Sequence, residues 1–478
     1  MSTESASPHA CVHPWRALSV CLVAAFMTLL DVSIVNVALP SIRTSLHASE
    51  GGLQWILSGY ALTFGLVLVA AGRIGDARSR RATFMFGLAL FTLASAACGL
   101  APTLLWLVVA RLVQGMAGGV LTPQVAGLIQ QLFQGADRGR AFGALGAVIG
   151  IATAVGPVLG GILIQIAGEG SGWRWIFLIN IPIGLVALVL ARRLLPDPVY
   201  GKSQGLDPVG VVLLGAAVIA IMLPFLQERT WKGDAKWLLV VAGLVLLVVF
   251  VAWERHTGAP MVDLGLFRLR SYSLGSGIAL LYFAGFTSIF FIFTLYLQNG
   301  LHYSPLSAGL AITPFALGSG VSAAVGGRLV GRLGRPLVCV GLALVVVGLL
   351  LTWLAVEVHP DKGVAWWTVL PLLVAGIGSG LVISPNQTIT LSEVPFQQGG
   401  SAAGVLQTGQ RVGTAVGIAC VGAVFFASVA NSKGDWAVAF RHGLLVVFGF
   451  VLAALVLSLF DLFGQGAKPI VRRLNPVA

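Results

Sequence analysis

Charged residues are scarce in this sequence. Asp, Glu, Lys and Arg together make up 10% of its 478 residues, 57% are apolar, and the mean hydropathy is +0.94. A soluble domain carries about 25% charged residues. A chain with so few cannot cover a water-facing surface, so the composition indicates an integral membrane protein.

The residue patterns of several enzyme classes are also missing. The seven histidines fall mostly in loops or tails, no residue group has metal-ligand spacing, and the phosphate-binding pattern G-x-x-x-x-G-K-S/T does not occur. We therefore expect neither an enzyme nor an ATP-driven pump, and no metal or cofactor. The cysteines are scattered without disulfide or metal spacing and are interpreted as packing residues: Cys11, Cys21, Cys98, Cys339 and Cys420.

Apolar runs of about 20 residues, long enough to span a bilayer, occur fourteen times. The first run is longer than the apolar part of a signal peptide and lacks a cleavage site, so we expect it to remain as a helix. The runs lie near 17–39, 52–72, 82–101, 104–125, 140–165, 174–192, 207–227, 237–254, 272–297, 306–329, 336–356, 366–390, 401–428 and 441–463. An even number of spans puts both termini on the same side.

The distribution of Lys and Arg predicts the orientation. Nineteen lie in loops or tails on the side of the N-terminus and eight on the opposite side, while Arg111 and Arg411 fall inside predicted helices. Cytoplasmic loops carry the excess of basic residues. Both termini are therefore expected in the cytoplasm of a multi-pass plasma-membrane protein. Because the basic residues lie in short loops between apolar runs, the net charge of +12 does not indicate a nucleic-acid partner.

An internal repeat divides the chain. The stretch AGRIGDARSRRATFMFGLAL after the second span is similar to GGRLVGRLGRPLVCVGLAL at 326–344, which aligns Gly72 with Gly327. The separation between the two copies corresponds to eight helices, which are the six of one half and an inserted pair. Such a duplication is expected for a transporter made of two halves. We predict an N-terminal tail at 1–16, a first half at 17–193, loops and an inserted helix pair at 194–271, a second half at 272–463 and a C-terminal tail at 464–478.

Several motifs resemble those of the major facilitator superfamily. They are GRIGDARSRR after the second span, ARLVQGMAGGVLTP at Ala110–Pro123, GPVLGG at Gly156–Gly161, LDVSIVNVALP in the first span and WRWIFLINIPIG at 173–184. Together with fourteen spans they resemble the drug:proton antiporters of the multidrug efflux type. The resemblance implies an all-α membrane protein with the major facilitator fold, in which two six-helix halves are joined by two additional helices.

A carboxylate lies inside the first apolar run. Asp31 precedes the outer end of that run, Leu39, by eight residues, and Arg111 follows the outer start of the fourth run by seven, so both lie about 10–12 Å deep. A charge at the centre of a membrane helix costs about 2.5–3.5 kcal/mol, and pairing the two is the cheapest way to keep them there. We predict that Asp31 carries the proton and that Arg111 sets its proton affinity, as the resemblance also implies. The alternative is a static ion pair that only fixes helix packing.

The resemblance implies a cytoplasmic latch between the halves, which holds the outward-facing state. Its residues are Gly72, Arg73, Asp76, Arg80 and Arg81. We expect Asp76 at the start of the third helix, where free N–H groups favour a carboxylate, and some arginines can contact lipid phosphates or act only as topology signals. Ser79 and Ala77 depart from the family pattern, which predicts a weakened latch.

The fifth span carries the pattern that resembles the antiporter motif. Its residues are Gly143, Ala152, Gly156, Pro157, Gly160 and Gly161, with Ala152 where a glycine is usual. Glycines permit close helix crossing, and Pro157 removes one backbone hydrogen bond. A tight seam of this kind favours antiport over symport, although small-residue packing also occurs in other membrane helices.

The resemblance implies a substrate cavity between the halves, which we expect to be apolar and aromatic. We expect it to be formed by Asn36, Trp55, Tyr60, Phe64, Gln114, Tyr282, Phe286, Phe290, Asn386, Gln407 and Arg411. For any single aromatic residue, packing against the core or lipid is the competing interpretation. Arg411 has no acidic residue at its level in the second half, and both a substrate or anion contact and a structural bond remain open.

The sequence thus predicts a proton-coupled exporter of lipophilic drugs or antibiotics. Because no second acidic residue lies deep in a span, we expect neutral, anionic or monocationic cargo rather than dications. The expected partners are a small lipophilic substrate, protons and membrane lipids, and we expect a monomer. A dedicated exporter of one metabolite, lipid or siderophore is the main alternative, and uptake by symport is the third.

Overall fold

The computed structural model describes residues 13–168, 170–196, 207–227, 231, 233–258 and 260–464. Most of both predicted tails, and Cys11, lie outside these residues. The described part consists of helices and connecting turns, without strands, and contains 14 helical segments that are long and apolar enough to cross a membrane.

The helices follow the predicted order. The first six spans are α1 Pro14–Leu46, α2 Glu50–Ala77, α3 Arg80–Gly99, α4 Leu104–Leu132, α5 Gly135–Ala167, and a sixth span made of α6 Gly172–Leu178 and α7 Asn180–Leu194. The inserted pair is α8 Pro208–Leu226 and α9 Trp237–Glu254. The last six are α10 Arg270–Leu295, α11 Pro305–Leu333, α12 Arg335–Val358, α13 Val364–Thr390, α14 Gly399–Asn431 and α15 Trp436–Phe463.

Several helices are longer than their apolar runs. Helix α1 begins before Ala17 and continues beyond Leu39 through Pro40 to Leu46, because backbone hydrogen bonding extends into polar residues that hydropathy does not mark. The sixth span, predicted at 174–192, is instead divided at Ile179. Pro182 has no N–H to donate to the carbonyl one turn earlier, which weakens the helix at that point.

Short polar side chains start many of the helices. Ser49, Ser79 and Thr103 accept backbone N–H groups at the starts of α2, α3 and α4. Asp435 accepts two N–H groups at the start of α15. These caps satisfy amides that have no partner within the helix, so connections of only a few residues suffice between consecutive spans.

The two halves meet along two seams. In the α2–α14 seam, a Cβ on Gly72 would collide with the backbone of Gly400. In the α5–α11 seam, Gly327 lies against Gly139 and Gly143. Gly72 and Gly327 are equivalent in the sequence repeat, so the same glycine of each copy allows close contact with the opposite half.

The inserted pair covers one of these seams. Helix α8 packs on both α2 and α14 through an apolar cluster of Leu62, Val218, Met222 and Ala415. Polar contacts fix its end, where the Gln54 side chain donates to the carbonyl of Leu226 at 2.5 Å. Helix α8 therefore contacts both halves at once.

Candidate functional site

Asp31 and Arg111 form a direct ion pair in the first half. Their helices, α1 and α4, bring Arg111 Nη1 to 2.5 Å from Asp31 Oδ2. The Asp31 side chain is 0% exposed and that of Arg111 is 1% exposed. The pairing that their matched depths predict is therefore present. Removing one partner of a buried pair typically costs about 3–5 kcal/mol, because the other charge is left uncompensated.

A polar network holds this pair. Gln114 Nε2 donates to Asp31 Oδ1 at 2.9 Å and to Ser95 Oγ at 2.9 Å, while Gln114 Oε1 accepts from Arg111 at 2.8 Å. Asn180 donates to the same Ser95 hydroxyl at 2.9 Å, and Arg111 Nε donates to the carbonyl of Ile56 at 3.2 Å. Both carboxylate oxygens of Asp31 are thus hydrogen-bonded, and its position is fixed by α1, α3, α4 and α7.

Two of these residues have roles that the sequence analysis missed. Gln114, predicted to contact substrate, has its side-chain oxygen and nitrogen committed to Asp31, Arg111 and Ser95. It lies one helical turn after Arg111 on the same face of α4, a spacing that could have indicated a shared partner. Asn180 lies within the quoted motif at 173–184, but the motif alone does not identify its partner on α3.

Two aromatic rings connect the ion pair to Arg411 of the second half. The Arg111 guanidinium carbon lies 4.2 Å from the centroid of the Tyr60 ring, and that ring lies 5.9 Å from the ring of Phe64. The Arg411 guanidinium carbon in turn lies 4.2 Å from the centroid of the Phe64 ring. Both arginines therefore make cation–π contacts with α2, whose aromatic residues separate them.

Other predicted substrate residues lie in different surroundings. Tyr282, Phe286 and Phe290 pack with one another and with Phe315, at centroid distances of 5.1–5.8 Å. Asn386 is buried and donates to the carbonyl of Gly275, which joins α13 to α10. These contacts favour the packing interpretation for this group of residues.

The remaining candidates divide between surface and interior. Asn36 is exposed, and its amide donates to the carbonyl of Val32 on its own helix, so it does not join Asp31. Trp55 is half-buried near the start of α2. Gln407 is buried, and its side-chain oxygen has no hydrogen-bond partner among the described residues.

The predicted latch residues form contacts across the α2–α14 seam. Asp76 accepts from Gly400 N at 3.0 Å, Ser401 N at 2.7 Å and Ser401 Oγ at 3.0 Å. The expectation that Asp76 stands at the start of the third helix was wrong. It lies at the end of α2 and accepts the free N–H groups at the start of α14, whereas Ser79 caps α3.

The latch arginines have different partners. Arg80 pairs with Asp76 at 2.6 Å, donates to the carbonyl of Gly127, and reaches across to the carbonyl of Phe396. Arg81 donates to the carbonyl of Arg192 at 2.5 Å, within the same half. Arg73 is buried within α2. Arg80 therefore joins Asp76 in the contact between halves.

The fifth-span motif lies between α1 and α11. Gly143 contacts α11, and Gly156 and Gly160 lie against Ser33 and Ile34 of α1. The Ser33 hydroxyl donates to the carbonyl of Ala152 at 3.1 Å, and Gly309 lies beside Pro157. Gly161 is less confined, since a Cβ there would meet only Leu306 at 3.9 Å. Helix α5 continues through Pro157 without interruption.

A second buried ion pair lies near the predicted cytoplasmic end of the second half. Asp461 on α15 pairs with Arg335, and its Oδ1 lies 3.5 Å from Arg270 Nε. Arg335 is the repeat equivalent of Arg80, while Gly331 stands at the position equivalent to Asp76. The second half thus retains the arginine of the latch motif but pairs it with an acid from its own last helix. In the sequence these two arginines are only part of the basic excess on the side of the N-terminus.

Comparison with known proteins identifies the family to which this architecture corresponds. The family model described as Major Facilitator Superfamily matches residues 21–418, with a second match over 275–469. The probable actinorhodin transporter of Streptomyces coelicolor is 37% identical over 429 residues, which cover 88% of this chain and 74% of that protein.

Other relatives and a solved structure agree with this match. The tetracenomycin C resistance and export protein of Streptomyces glaucescens is 33% identical, with 89% of this chain and 78% of that protein covered. The multidrug resistance protein Stp of Mycobacterium tuberculosis is 32% identical, with 84% and 74% covered. The proton:xylose symporter XylE has the same fold, with a TM-score of 0.65, 16% identity and 97% of both chains covered.

Proposed function

Because this chain belongs to the major facilitator superfamily, we propose that it is a proton-coupled antiporter that exports lipophilic drugs or antibiotics. The family consists of transporters rather than enzymes, and the fourteen apolar helices make the chain a multi-pass membrane protein. The names of the relatives support a drug as cargo, since they refer to actinorhodin, tetracenomycin C and multidrug resistance.

The Asp31–Arg111 pair carries the proposal of proton coupling. Asp31 is a fully buried carboxylate, and its ionised form is stabilised by the Arg111 guanidinium and the Gln114 amide. Desolvation favours a protonated carboxyl, while a nearby guanidinium favours an ionised one, so a small displacement of Arg111 changes the proton affinity of Asp31. Arg111 rests on Tyr60 of α2, and α2 also forms the seam with α14. Rocking of the halves at this seam therefore moves the surroundings of the ion pair.

The transport cycle combines this pair with the latch. With the Asp76–α14 contacts formed, the halves are closed at the predicted cytoplasmic end. Protonation of Asp31 from the outside favours breaking of these contacts, which opens that end to cargo. Asp31 then releases its proton to the cytoplasm, cargo binds, and the contacts form again. The exchange takes place in the plasma membrane, with both termini in the cytoplasm, and is carried out by a monomer.

Purified protein in vesicles that contain a pH-sensitive dye tests the proposal. Addition of actinorhodin or tetracenomycin C to vesicles under a pH gradient should produce cargo-dependent proton movement. Asp31→Asn should abolish it. The matched control is Asp137→Asn, because Asp137 is an exposed acid of the same half and pairs with Arg140. Transport by Asp31→Asn at the parental rate down a pH gradient would show that Asp31 is not the proton carrier.

A charge-neutral double variant separates proton transfer from packing. Asp31→Asn with Arg111→Gln removes both charges, so no uncompensated ion is left in the interior. A static ion pair predicts that this variant recovers transport, while the proposal predicts a folded protein without proton coupling. Thermal unfolding in detergent shows whether each variant is folded.

A dedicated exporter of one compound is a second candidate. The observation that favours it is that two relatives are named for a single compound, actinorhodin or tetracenomycin C. Broad export predicts that expression raises resistance to several unrelated lipophilic compounds, and that a protonophore abolishes the effect. Resistance to one compound alone would favour the dedicated exporter.

A further inference from the structure

Arg411 lies inside α14 and is half-buried, whereas Arg111 and Arg335 are buried. Arg111 and Arg335 each pair with an aspartate, as described above. Among the described residues Arg411 makes neither an ion pair nor a hydrogen bond, and its contact is with the ring of Phe64. It lies twelve residues after the start of α14, about 18 Å along the helix, far from the level of lipid headgroups.

The helices around Arg411 provide no counter-charge. Helix α14 contains no acidic residue, and neither do α8 and α10, while the acids of α2 lie at its two ends. Arg411 has apolar neighbours on two other helices, Gly65 of α2 and Met222 of α8. A Cβ built on Gly65 would lie within 4 Å of both Met222 and the Arg411 Cβ. A cation without a counter-charge in such surroundings is costly.

Polar groups without partners lie beside this guanidinium. The Tyr60 hydroxyl is buried with no hydrogen-bond partner among the described residues, and the Tyr60 ring packs against Phe64, on which Arg411 rests. Gln407 lies one turn before Arg411 on the same face of α14, and its side-chain oxygen is likewise unpartnered. Five guanidinium N–H groups, a hydroxyl and a carboxamide are thus available at the boundary between the halves.

We propose that Arg411 is the binding site for an anionic group on the exported molecule. The proposal rests on the proposed export function and narrows its cargo to lipophilic aromatic molecules that carry a carboxylate, sulfonate or phenolate. The guanidinium binds such an oxyanion with paired N–H groups, the Tyr60 hydroxyl and Gln407 amide donate to it, and Phe64 contacts the apolar body of the cargo. The ring of Phe64 compensates the cation only in part, whereas a bound anion compensates it fully.

This site is separate from the proton site. The Asp31 carboxylate is already bonded to Arg111 and Gln114, so it is not available to a cationic cargo while that network is intact. Arg411 and Arg111 belong to different halves and are separated by the rings of Tyr60 and Phe64. An anion at Arg411 therefore contacts both α2 and α14, the two helices of the seam that the latch closes.

Binding of two matched probes to purified protein in detergent tests the assignment. Pyrene-1-sulfonate and pyrene-1-sulfonamide share an aromatic body, but only the sulfonate is always ionised. The protein should bind the sulfonate more tightly, and Arg411→Gln should lower the sulfonate-to-sulfonamide affinity ratio about tenfold to hundredfold, the range for lost charge-assisted hydrogen bonds. Arg411→Lys should recover part of the ratio. Arg140→Gln, which removes an equal charge from an exposed pair, should not change it.

The outcomes separate this site from the proposed antiport. Equal binding of the two probes by the parental protein would overturn the assignment, as would parallel loss of both probes in folded Arg411→Gln and Arg411→Lys. Addition of phosphatidylglycerol distinguishes a cargo site from a lipid site, because a lipid that displaced the sulfonate stoichiometrically would assign Arg411 to headgroup binding instead. Selective sulfonate binding without proton movement in vesicles would contradict the antiport while leaving the anion site in place.

Discussion

Substitution of Asp76 should shift the balance between the two orientations of the transporter. Its carboxylate accepts three hydrogen bonds from Gly400 and Ser401, which belong to the opposite half. Loss of a helix-capping side chain costs about 1–2 kcal/mol, and the favourable charge at a helix start contributes an overlapping amount of similar size. Asp76→Ala should therefore destabilise the closed latch by about 2 kcal/mol, which is about a 30-fold change in the population ratio.

A second substitution separates the contribution of the Asp76 charge to the latch from the contribution of its hydrogen bonds. Asp76→Asn retains an oxygen that can accept an N–H but removes the negative charge, so its effect should be about half that of Asp76→Ala. Asp435→Ala is a matched control, because Asp435 caps α15 with bonds of 2.9 and 3.0 Å to two N–H groups of its own half. It should lower thermal stability without affecting the latch.

Distance measurement between spin labels at Arg78 and Gln397 provides the assay. Both positions are exposed, and they lie on opposite sides of the α2–α14 seam. In a chain whose own cysteines are replaced, Asp76→Ala should enrich longer distances, Asp76→Asn should do so less, and Asp435→Ala should match the parent. Equal distance shifts in Asp76→Ala and Asp435→Ala, or none in Asp76→Ala, would refute the assignment of Asp76 as a contact between halves.

Two further predictions concern close packing and the second buried ion pair. Gly72→Ala should lower the rate of transport about tenfold, because a Cβ there would lie 2.6 Å from Gly400 C and 2.9 Å from Ser401 N. Gly449→Ala is the control, because a Cβ on Gly449 would meet no atom within 4 Å. Unchanged transport in Gly72→Ala would contradict the tight seam. Arg335→Leu and Asp461→Leu should each lower stability by about 3–5 kcal/mol, while the double variant should lie closer to the parent, since it leaves no buried unpaired charge. Thermal unfolding in detergent measures the stability of the three variants. A double variant destabilised by the sum of the two single effects would contradict this prediction.

The spans and the central ion pair could be predicted from the sequence because they depend on local quantities. Apolar run length determines where a helix can cross, and the depth of a charge follows from its distance to the end of the run. Asp31 and Arg111 are 80 residues apart, yet their equal depth and the cost of an isolated charge were enough to pair them. The absence of acids near Arg411 was likewise visible in the sequence.

The partner of Asp76 could not be predicted in the same way. Its neighbours in the sequence favoured the start of α3, only four residues away, whereas its bonds go to α14, more than 320 residues later. All helix starts present the same N–H groups, so the chemistry of a carboxylate does not reveal which start it meets. For the same reason Asn180 and Ser95, which complete the network around Asp31, and Asp461, which pairs with Arg335, required the folded arrangement.

The pairing of Asp31 with Arg111 also constrains how the chain is made. Asp31 is synthesised 80 residues before Arg111, and at about 5–20 residues per second this interval lasts about 4–16 seconds. During that time the first helix bears a polar side chain for which the bilayer offers no partner. It must stay beside the insertion machinery, or take up a proton, until α4 arrives. Early biogenesis, rather than the finished transporter, is therefore the stage at which loss of Arg111 should first harm the cell's supply of this protein.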